Sequence, residues 1–263
     1  MSDRHVRLTF VSDTDMNEVR ETFALAVMAG EGIFGAAEPE RLLGPRSVLR
    51  SPDGQRLLVA DPGARCLHVL DLDRRTHDLV TKVGDVPLLS PVGLCPAPAG
   101  DAFLCDSESV AIHRLGASDG AYRKSLVLPP EILRPVAVAW HPGRSELYVV
   151  DSVAHDVKVL KEDGSLLRIL GARGTAPGTF NFPCAVALDR DRIWIADPGN
   201  YRVQAISPLG EPLIMVGRPG DAPGDLAMPK GVAVDSEGHL YVVDARFENV
   251  QVFDADGRLL TVF

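Results

Sequence analysis

The sequence contains no apolar run approaching the ~20 residues that a membrane-spanning helix needs. It is also poor in basic residues, with 27 Lys and Arg against 36 Asp and Glu and a net charge of -9. Nonspecific binding to nucleic acid or to an anionic membrane is disfavoured, because both depend on a basic field. The first residues are too polar for the apolar stretch of a secretory signal. We therefore expect a cytoplasmic protein, or an extracytoplasmic one if a signal has been removed.

Cysteine is scarce too. The four cysteines follow no zinc-ligand spacing and include no C-x-x-C pair. All four lie in or beside apolar runs, where a reduced thiol behaves as a small hydrophobic group. Cys95 and Cys105 flank one turn, so a disulfide between them stays open at this stage. No cofactor or metal site follows from these residues.

What the sequence does contain is a repeat. Five times a proline precedes a short apolar run, a turn, a second apolar run closed by aspartate, and a third strand-like run. Successive prolines are 46, 44, 48 and 46 residues apart, a period typical of tandem architectures. The prolines are Pro45, Pro91, Pro135, Pro183 and Pro229, and the aspartates are Asp61, Asp106, Asp151, Asp197 and Asp244.

Each unit reads as four short antiparallel strands. In the fifth unit, apolar runs at 231–234 and 240–244 are joined by a polar turn that contains Gly238, and two further runs follow at 249–253 and 258–263. The inner runs are apolar on both faces, as expected for a sheet packed between two others. Radial stacking of such sheets gives an all-β propeller with five recognisable blades.

The repeat resembles the NHL repeat. The motifs PKGVAVD at 229–235, LYVVD at 240–244, NVQVF at 249–253 and DPGNYRVQ at 197–204 carry the resemblance, with Asp197, Asn200 and Arg202 at the family's Asp, Asn and Arg positions. Gly-rich stretches at 171–180 and 217–226 are similar to its connectors between blades. The resemblance covers residues 43–263 as one propeller domain and leaves residues 1–42 as a separate N-terminal segment.

The order of motifs is most similar to bacterial six-bladed NHL proteins of unassigned role, whereas five units are present here. We expect residues 1–42 to supply a partial sixth blade, through apolar runs at 6–11 and 22–28. A closed five-bladed ring is one alternative. The other is an open ring, whose bare sheet faces would favour a homodimer.

The five closing aspartates suggest either a ring of cation ligands or a structural role. The structural interpretation is favoured, because a short carboxylate at a strand end commonly accepts backbone N–H groups of the following turn. Asn200 and Arg202 are interpreted as structural repeat positions as well.

The repeat is also similar to that of the peptidyl-hydroxyglycine amidating lyases, which hold zinc with histidines that directly follow the repeat proline. None of the corresponding residues here is histidine, so that site is not carried over. They are Arg46, Val92, Val136, Cys184 and Lys230. The seven histidines of the chain stand at differing repeat positions.

Arg46 and Lys230 give a second prediction. If the residues after the repeat prolines surround the channel mouth, these two cations lie on an otherwise apolar rim and bind a small anion or an acidic peptide. We therefore predict a non-enzymatic binding or scaffold module with a protein or peptide partner. The alternative is a metal-dependent lyase or hydrolase acting in the central channel. RNA binding, known for NHL propellers of tripartite-motif proteins, is disfavoured by the acidic composition.

Overall fold

The computed structural model describes residues 42–263, and its regular secondary structure is almost entirely β. It contains five four-stranded antiparallel sheets, as the repeat predicts. The only helical turns in the described part are two single 3-10 turns at Pro98–Gly100 and Pro198–Asn200. The prediction that residues 1–42 form a partial blade concerns residues that, apart from Leu42, lie outside this part.

The strands follow the chain order within each blade. Blade 1 contains β1 Ser47–Arg50, β2 Arg56–Asp61, β3 Cys66–Asp71 and β4 Thr76–Val80, and a small hairpin of β5 Lys82–Val83 and β6 Val86–Pro87 follows it. Blade 2 contains β7 Pro91–Ala97, β8 Asp101–Asp106, β9 Ala111–Gly116 and β10 Tyr122–Ser125. Blade 3 contains β11 Pro135–His141, β12 Glu146–Asp151, β13 Asp156–Lys161 and β14 Leu166–Leu170.

The last two blades repeat the pattern. Blade 4 contains β15 Ala185–Asp189, β16 Arg192–Asp197, β17 Arg202–Ile206 and β18 Pro212–Val216, and blade 5 contains β19 Pro229–Val234, β20 Leu240–Asp244, β21 Asn249–Phe253 and β22 Leu259–Val262. The first strand of each blade lies beside the first strand of the next, from β1 through β7, β11 and β15 to β19. These innermost strands line the central channel.

The core consists of separate apolar clusters between neighbouring blades. Four of them join blades 1 and 2, 2 and 3, 3 and 4, and 4 and 5. A fifth joins blade 5 to blade 1, where Ala233, Tyr241 and Val252 pack with Val48 and Val59. Among the described residues this seam contains seven buried apolar side chains, against eleven to thirteen at the other four, so it is the least extensively packed.

Candidate binding site at the channel mouth

Three of the five innermost strands carry a β-bulge at the residue that follows the repeat proline. In blade 3, Pro135 pairs with Asp151 and Ala137 with Val150, so Val136 has no partner across the sheet. The register shifts in the same way at Val92 and at Lys230. A bulge leaves one residue unpaired and changes the direction of its side chain. The repeat proline thus marks the place where a side chain leaves the sheet and lines the channel mouth.

Blades 1 and 4 reach the same arrangement without a bulge. The residues after their prolines, Arg46 and Cys184, directly precede the first strand, and each donates its backbone N–H to the second strand, at Ala60 and Ala196. All five post-proline residues line one cavity of about 410 Å³. The described residues around it are Gly44, Arg46, Pro62, Ser90, Val92, Ser107, Arg134, Val136, Ser152, Phe182, Cys184 and Lys230.

The charge of this mouth is opposite to that of the whole chain. Its described lining contains three cations, Arg46, Arg134 and Lys230, and no carboxylate side chain. Arg46 and Lys230 are half-buried, and within residues 42–263 neither side chain has a hydrogen-bond or ion-pair partner. The exposed Arg134 donates from Nε to Ser107 Oγ over 3.4 Å. The mouth therefore carries positive charge that the described residues do not neutralise by contact.

Arg134 and three serines were missed by the sequence interpretation, which predicted an apolar rim apart from two cations. Arg134 and Ser90 directly precede repeat prolines, and Ser107 and Ser152 directly follow closing aspartates. Their positions in the repeat could have indicated this, because the loop before each repeat proline and the loop after each closing aspartate both lie at the mouth.

The five closing aspartates hold these loops together, and all five are fully buried. The carboxylate of Asp151 accepts backbone N–H groups from Leu133 and Arg134 before β11 and from Val153 and Ala154 after β12. Asp61, Asp106 and Asp244 accept N–H groups from the two equivalent loops of their own blades. Their oxygens are thus occupied by the loops that carry the mouth residues.

Asp197 is the centre of a larger network. It accepts the backbone N–H of Asn181 and the side-chain donors of Asn200, Arg202 and Gln204. Arg202 and Gln204 also donate to backbone carbonyls of the Gly-rich connector at 175, 176 and 179. The two predicted structural residues Asn200 and Arg202 therefore connect blade 4 to the preceding connector, at a distance from the cations of the mouth lining.

Blade 3 has an ion cluster where Asp197 has its Arg and Gln partners. Lys158 is 1% exposed and donates to Asp156 over 2.6 Å and to Asp151 over 3.3 Å. Burial raises the pKa of Asp156 above its usual range although the Lys158 charge opposes the shift. Burial also acts to raise the pKa of Asp151, but backbone N–H donors and Lys158 outweigh it and lower that pKa.

Cys95 and Cys105 are not bonded to each other, so the disulfide left open by the sequence is not formed. Burial raises the pKa of both thiols well above the usual range. Cys184 is half-buried at the mouth. Within residues 42–263, no three His, Cys, Asp or Glu side chains are grouped so that they could hold a metal ion.

No helix in the described part of the chain is long and apolar enough to cross a membrane. No curated protein sequence is significantly similar to the chain. Solved structures with a similar fold are numerous.

Virginiamycin B lyase from Staphylococcus aureus has a TM-score of 0.64 at 18% identity, and the match covers 85% of this chain and 71% of the lyase. A chain of a nidogen/laminin complex gives 0.66 at 19% identity, with 84% and 80% covered. A Bacteroides caccae protein of unknown function gives 0.63 at 14% identity, with 84% and 81% covered. At these identities the similarity shows the fold alone.

The sequence profile of the NHL repeat matches residues 226–253, which extend from the connector before blade 5 to the end of its third strand. The same order of proline, closing aspartate and buried polar residue recurs in the other four blades of the structure. The chain is therefore a β-propeller whose fifth blade matches the NHL repeat.

Proposed function

We propose that this chain is a non-enzymatic binding module whose channel mouth recognises an anionic group of its ligand. The observation that carries the proposal is the pair of half-buried cations, Arg46 and Lys230, which have no acidic neighbour in the described lining. A carboxylate about 4 Å from one such cation gains about 4 kcal/mol of Coulomb energy near a protein surface, before desolvation is counted. The contrast with the net charge of -9 makes the mouth a distinct basic site.

The fold supports a binding role in general terms. A propeller with NHL repeats is suited to a binding scaffold, and one structural neighbour belongs to a nidogen/laminin complex. Every closing aspartate accepts at least one backbone N–H group from the loop before its blade, so hydrogen bonds within the protein hold these mouth loops before any ligand arrives. Fixed loops reduce the entropy lost on binding. A protein or peptide partner, or a small anionic ligand, is consistent with this arrangement.

The test uses the thiol of Cys184, which lines the same cavity, as a local reporter. Sodium acetate and inorganic phosphate are titrated at constant chloride, and alkylation of Cys184 by iodoacetamide is followed by mass spectrometry. We expect both anions to slow alkylation in the wild type. The double variant Arg46→Glu/Lys230→Glu is expected to lose this protection, because the charge of the site is reversed.

The matched control is Lys124→Glu/Lys161→Glu, which reverses two exposed cations on outer strands and changes the net charge equally. It should retain protection. A second double variant, Arg46→Gln/Lys230→Gln, removes the charge without adding carboxylates and keeps the test valid if the Glu pair fails to fold. Equal protection in the wild type and in the Gln pair would overturn the proposal.

The enzymatic alternative is suggested by the structural similarity to virginiamycin B lyase, but this similarity shows the fold alone. The described residues provide no specific observation in its favour. A metal-dependent reaction in the channel predicts bound metal in the purified protein and inhibition by chelators. A binding module predicts that chelators leave ligand affinity unchanged.

A further inference from the structure

The mouth has two tiers of side chains that differ in polarity. The inner tier consists of the post-proline residues, with cations on blades 5 and 1 and with Val92, Val136 and Cys184 on blades 2 to 4. The outer tier consists of loop residues. It is polar on blades 2 and 3, with Ser90, Ser107, Ser152 and Arg134, and its described lining has no polar side chain on blades 1 and 4, with Gly44, Pro62 and Phe182. A ligand that enters this mouth therefore meets hydrogen-bonding groups on one side, and a positive arc facing an apolar arc further in.

Phe182 extends the apolar arc on blade 4, where it is 51% exposed. Its φ is +55°, and none of the other residues that directly precede a repeat proline has a positive φ. A positive φ is costly for a bulky side chain. The conformation is held by a hydrogen bond of 2.9 Å from the Phe182 backbone N–H to His155 Nδ1. The two rings are also in contact, with their centroids 4.4 Å apart. The fold thus maintains an exposed aromatic ring at the mouth in spite of backbone strain.

We propose that the ligand is the C terminus of a peptide or protein whose last residue is apolar, an inference that rests on the proposed function above. Its carboxylate pairs with Arg46 and Lys230, and its last side chain packs against Val92, Val136 and Phe182. Its preceding peptide groups hydrogen-bond to Arg134 and the serines of the outer tier.

A mouth that combines cations, hydrogen-bonding groups and apolar side chains fits this ligand class better than it fits inorganic phosphate, which has no apolar part. The cavity of about 410 Å³ lies within the ~300–1,000 Å³ typical of small-ligand sites, so it holds one or two residues rather than a folded domain. Capture of a terminal carboxylate is an established mode of peptide recognition.

The experiment measures fluorescence anisotropy with a labelled Gly-Ser-Gly-Ser-Phe peptide carrying a free carboxylate. Its C-terminal amide and a peptide ending in Ser instead of Phe serve as comparisons. We expect the free-acid Phe peptide to bind at least ~10-fold more tightly than either, because each comparison removes one of the two inner-tier interactions.

Two sets of variants assign the interactions. Arg46→Gln/Lys230→Gln should abolish the preference for acid over amide. Val92→Thr/Val136→Thr, which keeps the side-chain shape, should reduce the preference for Phe over Ser and leave the acid preference intact. The Lys124→Gln/Lys161→Gln pair should behave as the wild type, and thermal unfolding of each variant confirms that it is folded.

The outcomes separate this inference from the proposed function. If acetate and phosphate protect Cys184 but the peptides bind without preference for a free carboxylate or an apolar last residue, the inference is overturned and the anion site stands. Binding of free 3-phenylpropionate as tightly as the Phe peptide would also overturn it, by assigning the site to a small organic acid. If neither anions nor peptides occupy the mouth, both proposals fail.

Discussion

Replacing Lys158 by glutamine should destabilise the protein strongly at neutral pH. The Lys158 ammonium lies between Asp151 and Asp156 with only 1% of its surface exposed. The variant leaves two buried carboxylates without this cation, and breaking a buried ion pair from one side typically costs about 3–5 kcal/mol. At about 2–4 °C per kcal/mol for a chain of this size, the unfolding midpoint should fall by roughly 6–20 °C. Thermal and urea unfolding measure the loss.

The loss should depend on pH in a defined direction. Burial already raises the pKa of Asp156, and removing Lys158 removes a charge that opposes this shift. When the pKa of a carboxyl group is higher in the folded than in the unfolded protein, protonation of that group favours the folded state. Lowering the pH towards the raised pKa therefore recovers part of the stability that the variant has lost. The difference in stability between wild type and variant should therefore be smaller at about pH 5 than at about pH 7.

Blade 5 provides the compensating variant. It has Asn249 and Gln251 at the positions of Asp156 and Lys158, in a blade with the same closing aspartate. Asp156→Asn/Lys158→Gln should recover most of the lost stability, and Lys161→Gln on the same strand should change little because that side chain is exposed. The reasoning is refuted if Lys158→Gln lies within about 1 kcal/mol of wild type, or if its deficit is the same at both pH values.

Three further outcomes are expected. Gly217→Ala should lower the free energy of unfolding in urea by more than ~1 kcal/mol, because φ is +83° and a Cβ would lie 2.3 Å from Leu226. Gly224 has a φ of +89° but open space around it, so Gly224→Ala should lose only the energy of the backbone strain. Iodoacetamide should modify Cys184 first in the folded protein and all four cysteines in concentrated guanidinium, because the other three are buried; simultaneous modification would contradict this. Burial lowers the pKa of His113 below 6.5, so stability should decline as the pH falls below that value, and His113→Gln should show a shallower decline in urea unfolding across this range.

The architecture was predictable because the repeat encodes it five times. Prolines and closing aspartates recur at nearly constant spacing, and short apolar runs separated by polar turns indicate the strands. The structure places all five post-proline residues, Arg46 and Lys230 among them, in the lining of one cavity. That these two cations bind a ligand stays a prediction. Residues that act through their place in a repeat are accessible to sequence reasoning, since each blade supplies another example of the same position.

The rest of the mouth depends on geometry that one sequence does not specify. Arg134 and Ser107 reach the cavity because Asp151 and Asp106 hold loops whose conformation is set by hydrogen bonds between segments about 17 residues apart in the chain. The β-bulge at Val136 results from the pairing register. The strained conformation of Phe182 depends on a histidine of the preceding blade, so no local pattern predicts it.

The residue after each repeat proline lies between the pore and the interblade cores. Val92, Val136 and Cys184 line the mouth and also pack against the clusters between blades 2 and 3, 3 and 4, and 4 and 5. Arg46 and Lys230 line the mouth as well but belong to none of the apolar clusters of the described residues. Exchanging these two cations would therefore alter the charge of the pore with little effect on the packing between blades, whereas exchanging the three apolar residues would alter both.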